Sequence, residues 1–259
     1  MKRTWQIGNI LALVFALVAN FIIGAQVLDL PSINAISSEY VTYLTPAGYA
    51  FSIWSFIYVL LIAFVVYQAR DILKPRSENK LPGLVGPYFI IASIANGLWT
   101  YVFVNEFTGL SVLILLLLTA SLYMLLSRLR IALDDKPLKE VAFVWWPLMI
   151  YAGWGTVASV VNVASWLDSV GVVITPIMAS LALILLAACL MALLFTRHVR
   201  ELVLACIWGV VAIGVEQLQQ EGSQTVWVSA FVVSGALLVC VLIHAYKQRK
   251  THLLGELTS

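Results

Sequence analysis

Hydrophobic residues in this chain fall into eight long runs separated by short polar gaps. Each run is close to the roughly 20 apolar residues that cross a bilayer as an α-helix. The pattern predicts helices over residues 7–27, 46–68, 87–107, 108–127, 141–167, 173–196, 202–217 and 226–246. We therefore expect an all-α protein, a polytopic transmembrane helical bundle of about eight helices.

Basic residues lie only in alternate gaps between these runs and at the two chain ends. The fifteen are Lys2, Arg3, Arg70, Lys74, Arg76, Lys80, Arg128, Arg130, Lys136, Lys139, Arg197, Arg200, Lys247, Arg249 and Lys250. Because loops with excess Lys and Arg stay on the cytoplasmic side of a membrane, both termini are predicted to be cytoplasmic. The base-free gap at residues 28–45 is then the long external loop.

The composition agrees with a membrane protein. Hydrophobic residues make up 62% of the 259 residues and charged residues 11%, whereas soluble domains carry about a quarter charged residues. The net charge is only +2 and the bases are divided among loops, which argues against nucleic acid and leaves the lipid bilayer as the expected partner. The first run lacks a convincing small-x-small cleavage site, so we expect a retained helix rather than a signal peptide.

Aromatic residues recur at helical spacing in the second, third and fifth runs, together with two amides. The three sets are Phe51, Trp54 and Tyr58, then Asn96, Trp99 and Phe103, then Tyr151, Trp154 and Asn162. Residues three or four apart share one helix face. Each aromatic set alone is more typical of packing or an interfacial belt, and each Asn alone of interhelical hydrogen bonding. Their coincidence on three helices favours an apolar pocket for a planar hydrophobic ligand.

Residue types needed for catalysis or ion coupling are missing from these runs. The first 168 residues carry no Asp, Glu, Lys, Arg or His in the middle of a run, which argues against ion-coupled transport. The sequence has no nucleophile–base pair, no metal-type Cys/His spacing and no phosphate-binding loop. We therefore predict no catalytic residue, no metal site and no required cofactor, and a protein that is not an enzyme.

Three segments together resemble the tryptophan-rich sensory protein (TspO/MBR) family, the bacterial relatives of the translocator protein. They are TPAGYAFSIWSFIY, ANGLWTYVF and PLMIYAGWGTVASVVN, in this order. The family has five transmembrane helices and a long first loop, so the resemblance covers residues 1–168. It leaves residues 169–259 as three additional helices without a counterpart. Phe51 and Trp54 lie one residue closer together than in the family, which leaves the direction of Trp54 open.

The resemblance implies a bacterial inner-membrane protein that binds a planar hydrophobic molecule for sensing, sequestration or regulation. The expected ligand is a tetrapyrrole, such as porphyrin or haem, or a sterol-like compound. By motif, the pocket would be lined by Phe51, Trp54, Asn96, Trp99, Trp154 and Asn162, with loop 28–45 as its lid. The alternative is a transporter or facilitator of a small hydrophobic solute. An enzyme that degrades porphyrin oxidatively is less favoured, since no acid, base or metal ligand is available, and a homodimer is left open.

Overall fold

The structure, a computed structural model, describes residues 2–74 and 79–258, with side chains described up to residue 248. Among the basic residues of the alternating pattern, Arg76 and the side chains of Arg249 and Lys250 lie outside this description.

The described residues form helices throughout, joined by short connections. The α-helices are α1 (Lys2–Gly24), α2 (Ile33–Glu39), α3 (Ile53–Ala69), α4 (Leu81–Val104), α5 (Thr108–Arg128), the single turn α6 (Leu138–Glu140), α7 (Trp146–Ser169), α8 (Pro176–Arg197), α9 (Arg200–Gln219) and α10 (Gln224–Thr258). A 3₁₀ turn, η1 (Gly48–Ser52), runs into α3, and a π-helical turn (Val141–Trp145) joins α6 to α7. Within the described residues, eight helices are long and apolar enough to cross a membrane, counting Gly48–Ala69 and Leu138–Ser169 as one each. The predicted all-α bundle of eight spans is confirmed.

Two of these spans are irregular next to a proline. Gly86, with φ 53° and ψ −141°, kinks α4 immediately before Pro87. The π-helical turn precedes Pro147 at the start of α7. Proline has no N–H to continue the helical ladder and crowds the residue before it, so a break or a widened turn is the expected local solution. The straight part of α4 thus begins where the sequence predicted the third span to begin.

Five helices form a closed ring in the order α1, α3, α7, α5, α4, with α4 returning to α1. Outside the ring, α9 packs against α7, α10 against α9, and α8 against α10. Consecutive long helices are not always neighbours: α3 and α4 make few contacts, and α8 packs mainly on α10. Short loops fix only where helix ends lie, whereas complementary side-chain faces decide which helices pack together.

Close approach of α9 to α7 joins the three additional helices to the ring. A Cβ placed on Gly153 would lie 2.3 Å from the backbone oxygen of Leu202. The thiol of Cys206 donates to the carbonyl oxygen of Gly153 at 3.2 Å, and a Cβ on Gly209 would lie 2.7 Å from Val157. Small residues at such contacts let helix backbones approach each other. The C-terminal helices are therefore an integral extension of the bundle.

The two ends of the bundle differ in charge. At one end, called here the basic end, Lys2 pairs with Asp71, and Arg128 lies over the ring of Tyr88 at 5.8 Å. At the other, called the lid end, the carboxylates of Glu39, Glu106 and Asp168 act electrostatically on the Tyr40 hydroxyl. Because the spans are even in number, both chain ends lie at the basic end, as the positive-inside pattern predicts.

A buried polar layer at the basic end ties α1 to α3, and the sequence analysis did not anticipate it. Gln6, Asn9 and Gln68 are each 0% exposed. The Gln6 amide donates to the Asp71 carboxylate at 2.8 Å, and the Asn9 amide donates to the Gln68 side-chain oxygen at 3.4 Å. Such interhelical hydrogen bonds hold helices together where water is absent.

Candidate functional site

The centre of the five-helix ring is filled by a cluster of aromatic side chains around Trp54. The Trp54 ring stacks on Tyr58 at a centroid distance of 5.5 Å. It lies 6.0 Å from Trp99 at a tilt of 34°, and meets Tyr151 and Trp154 nearly edge-on at 6.1 and 6.2 Å. These are favourable geometries for aromatic pairs. Trp54 is therefore directed into the ring, which settles the question left open by its short spacing from Phe51.

Beside this cluster, toward the lid end, lies a small apolar cavity. It is lined by Ile33, Ser37, Pro46, Phe51, Trp54, Trp99, Phe103, Trp154, Val157, Ala158, Val161, Asn162 and Ser165. Its free volume is about 30 Å³, enough for two or three water molecules at roughly 10–15 Å³ each. Pockets for drug-sized ligands hold about 300–1,000 Å³. The cavity is thus closed, and a planar ligand would have to displace side chains or the lid.

Five of the six pocket residues predicted from sequence line this cavity, and the sixth does not. Phe51, Trp54, Trp99, Trp154 and Asn162 contribute to its wall. Asn96 instead lies on the α1 side of α4, where its oxygen accepts from the Asn20 amide at 2.7 Å and from the Tyr58 hydroxyl at 3.3 Å. No contact in the structure tests whether any of the six binds a ligand, so that role stays a prediction.

Asn162 connects three helices at the edge of the cavity. Its side-chain oxygen accepts from the Trp99 indole N–H at 3.0 Å, and its amide donates to the Ser111 hydroxyl at 2.8 Å. Both polar ends of the amide are thus engaged in the closed cavity, and the residue is 3% exposed. Asn162 fixes the orientation of the Trp99 ring and couples α4, α5 and α7.

Two other indole groups at the cavity have no such partner. The Nε1–H groups of Trp54 and Trp154 are buried and make no hydrogen bond with any described residue. The side chains are 6% and 2% exposed. A buried unsatisfied donor costs about 1–3 kcal/mol. Both rings line the cavity, so an acceptor on a bound molecule could reach these donors once the side chains move apart to admit it.

The predicted lid loop contains helix α2, which lies over the cavity. Ile33 and Ser37 of α2 form part of the cavity wall, and Ser32 caps the helix by accepting from the Ala35 N–H at 3.2 Å. Just after α2, the Tyr40 hydroxyl donates to the Glu106 carboxylate at 2.7 Å. That hydrogen bond, aided by partial burial and nearby carboxylates, raises the pKa of Tyr40 to about 12. The bond attaches the end of α2 to the turn between α4 and α5.

Helix α9 is attached to the segment between the lid and α3. The Trp208 indole N–H donates to the carbonyl oxygen of Ala50 at 3.1 Å, and the Ala47 N–H donates to the Ala212 carbonyl oxygen at 3.0 Å. Trp208 also packs edge-on against Tyr49 at 5.3 Å. Turn η1, which carries Phe51 into the cavity, is thus held from outside by one of the additional helices.

Sequence reasoning missed the polar contacts that close the site. Tyr40 and Glu106 lie in loops 66 residues apart, and neither has a spacing signal that could have paired them. The contact of Trp208 with Ala50 joins residues 158 positions apart. A search for carboxylates and tyrosines in loops at the same membrane face could have suggested the Tyr40–Glu106 pair. No periodicity in the sequence indicates the Trp208–Ala50 contact.

Comparison with known proteins gives one match. The family described as TSPO-like protein matches residues 6–243, which include the ring, α8, α9 and most of α10. The match thus extends beyond residues 1–168, the part that carried the motif resemblance. No curated protein and no solved structure matches the chain.

Proposed function

The chain belongs to the TSPO-like protein family and is an integral, multi-pass membrane protein, and we propose that its five-helix ring binds a planar hydrophobic ligand. The ligand is a tetrapyrrole or a sterol-like molecule, taken up for sensing, sequestration or regulation rather than for turnover. The proposed location is the bacterial cytoplasmic membrane, with the lid end outside. One observation carries the proposal: an apolar, lidded cavity is lined by two indole rings, those of Trp54 and Trp154, whose buried N–H groups have no partner among the described residues.

The chemistry of the cavity favours a flat apolar ligand with an acceptor at its edge. The wall consists mainly of aromatic and aliphatic side chains, which gain free energy when apolar surface leaves water. A carboxylate, carbonyl or hydroxyl oxygen on the ligand could accept from Trp54 or Trp154. Binding would then satisfy donors that are unpaired in the closed cavity.

Ligand entry requires an opening of the site. The free volume of about 30 Å³ is roughly a tenth of the smallest ordinary ligand pocket. Among the described residues, a single side-chain hydrogen bond joins the end of α2 to the turn between α4 and α5. It runs from the hydroxyl of Tyr40 to the carboxylate of Glu106. That bond contributes on the order of 1 kcal/mol. The buried side chain of Ile36 on α2, 1% exposed, adds roughly 1.5–3 kcal/mol, a free-energy cost of lid opening that ligand binding must offset.

The test is a titration of the purified full chain with protoporphyrin, followed by porphyrin absorbance and Trp fluorescence. Trp54→Phe and Trp154→Phe keep aromatic packing but remove the N–H donor, so each should weaken binding about fivefold, the equivalent of roughly 1 kcal/mol. Trp227→Phe, on α10 and paired with Phe231, is the matched control and should bind like the unchanged protein. Unquenched Trp fluorescence, or equal affinity in all three variants, would refute the proposal.

A flux assay separates binding from the transport alternative. In proteoliposomes the proposal predicts stoichiometric uptake of porphyrin by the protein with no passage into the lumen. Lumenal accumulation above that of empty vesicles would instead identify a transporter or facilitator.

A further inference from the structure

A second, larger cavity lies outside the ring, where α3, α7 and α9 meet. This outer groove has a free volume of about 370 Å³ and opens toward the lipid. Its walls are Ser52, Ile53, Phe56, Ile150, Glu201, Leu204, Ala205 and Trp208. The volume falls within the range of about 300–1,000 Å³ typical of small-molecule sites. It is separate from the closed cavity, which shares none of these residues.

One face of α9 forms the floor of the outer groove. Glu201, Leu204, Ala205 and Trp208 follow each other at i, i+3, i+4 and i+7, the spacing of a single helix face. At 1.5 Å per residue, Glu201 and Trp208 lie about 10 Å apart along the helix. The groove therefore has a carboxylate at the basic end and an indole nearer the middle of the bundle.

Glu201 is the one charged residue that lines the outer groove. The salt bridges of the described residues do not include it, and it makes no described side-chain hydrogen bond. The adjacent Arg200 lies about 100° further round the helix, toward α10, where it acts electrostatically on His244. Glu201 lies in the first turn of α9, at the end of the span, where its carboxylate can meet a charged group while the rest of a ligand lies along the apolar wall.

We propose that the outer groove binds an amphipathic organic cation, with its cationic centre at Glu201 and its apolar body along α3 and α9. Charge complementarity selects this occupant: the carboxylate attracts a cation and repels the phosphate of an anionic lipid headgroup. The exposed rings of Phe56 and Trp208 give the apolar body of the ligand aromatic surface to pack against. The hydrogen bond from Trp208 to Ala50 holds the indole in place, so little ordering is needed on binding.

The proposal is independent of ligand binding in the ring, and the two can be tested on the same protein. Tetraphenylphosphonium is the probe, measured by equilibrium dialysis against the full chain in nanodiscs of zwitterionic lipid. Saturable 1:1 binding is expected. Glu201→Gln should weaken it tenfold or more, while Glu201→Asp should retain most of it because the charge remains.

The matched control is Glu216→Gln, which removes the same charge from the lid end of the same helix and should leave binding unchanged. Tetraphenylsilane, a neutral analogue, should bind weakly and equally to both Gln variants. Equal affinity of Glu201→Gln and the unchanged protein for the phosphonium would overturn the proposal. So would equal affinity for the cation and the neutral analogue, the result expected of a groove that only holds lipid chains. An unchanged thermal unfolding midpoint of Glu201→Gln would show that the variant folds.

Discussion

The close contact between α7 and α9 makes Gly153→Ala a direct test of how the additional helices are attached. A Cβ at this position would lie 2.3 Å from the backbone oxygen of Leu202 and 2.9 Å from the Cβ of Ala205. Real Cβ atoms essentially never approach other atoms closer than 3.0 Å. The first contact is with backbone, which cannot rotate away as a side chain could, so α9 itself must move.

The size of the effect follows from these distances. To bring the 2.3 Å contact to 3.0 Å, α9 must retreat by at least 0.7 Å, the difference between the two values. Overpacking of this kind costs about 1–3 kcal/mol. The same shift would lengthen the Cys206 thiol's bond to the Gly153 carbonyl and strain the Trp208 bond to Ala50. We therefore expect a lower unfolding temperature together with a loosened η1.

Gly235→Ala on α10 is the control, because nothing lies within 4 Å of the added Cβ. It should stabilise slightly, by up to about 1 kcal/mol, since Ala is the better helix former. Thermal unfolding in detergent, followed by circular dichroism, would compare the two variants. Hydrogen exchange at Ala50 and Phe51 would report on η1. If Gly153→Ala unfolded at the same or a higher temperature than the unchanged protein, the tight α7–α9 contact would be refuted.

Two further variants test the lid and the interhelical amide. Tyr40→Phe removes the hydrogen bond to Glu106. Losing roughly 1 kcal/mol of stabilisation should raise the equilibrium constant for lid opening about fivefold. A spin label at residue 38 should therefore become more mobile. The pKa of Tyr40 is raised from 10.0 to about 12, so the contribution of this hydrogen bond to lid closure is fully present below pH 10 and is lost as the pH rises through about 12. Label mobility that already rises between pH 7 and 9 would contradict this. Asn162→Leu removes the bonds to Trp99 and Ser111 and should destabilise the bundle by about 1–2 kcal/mol in thermal unfolding; an unchanged midpoint would contradict the proposed coupling.

The number and type of the spans were predictable because lipid allows only structures that satisfy their own backbone hydrogen bonds. Long apolar runs must then be helices, and Pro87 even marks where α4 straightens. The packing order was not predictable from loop lengths. It depends on contacts such as Gly153 against Leu202, which involve residues about 50 positions apart with no spacing signal.

The site was predictable where helical periodicity applies and not elsewhere. Trp99 and Trp154 face the cavity as their spacing indicates. Trp54 also does so despite its short spacing from Phe51, because η1 is a 3₁₀ turn. A 3₁₀ turn has three residues per turn, so residues three apart are brought into line. Asn96 shares a face with Trp99 in sequence, yet its side-chain oxygen accepts a hydrogen bond from Asn20 of α1, a contact that only the ring order reveals.

The most direct measurement is a structure of the full chain with protoporphyrin bound. The account predicts the porphyrin among Trp54, Trp99 and Trp154, with an acceptor oxygen of the ligand on the Trp54 or Trp154 indole N–H and α2 displaced from the cavity. A porphyrin bound only on the outer surface of the bundle, with these three rings and α2 in their present positions, would contradict it.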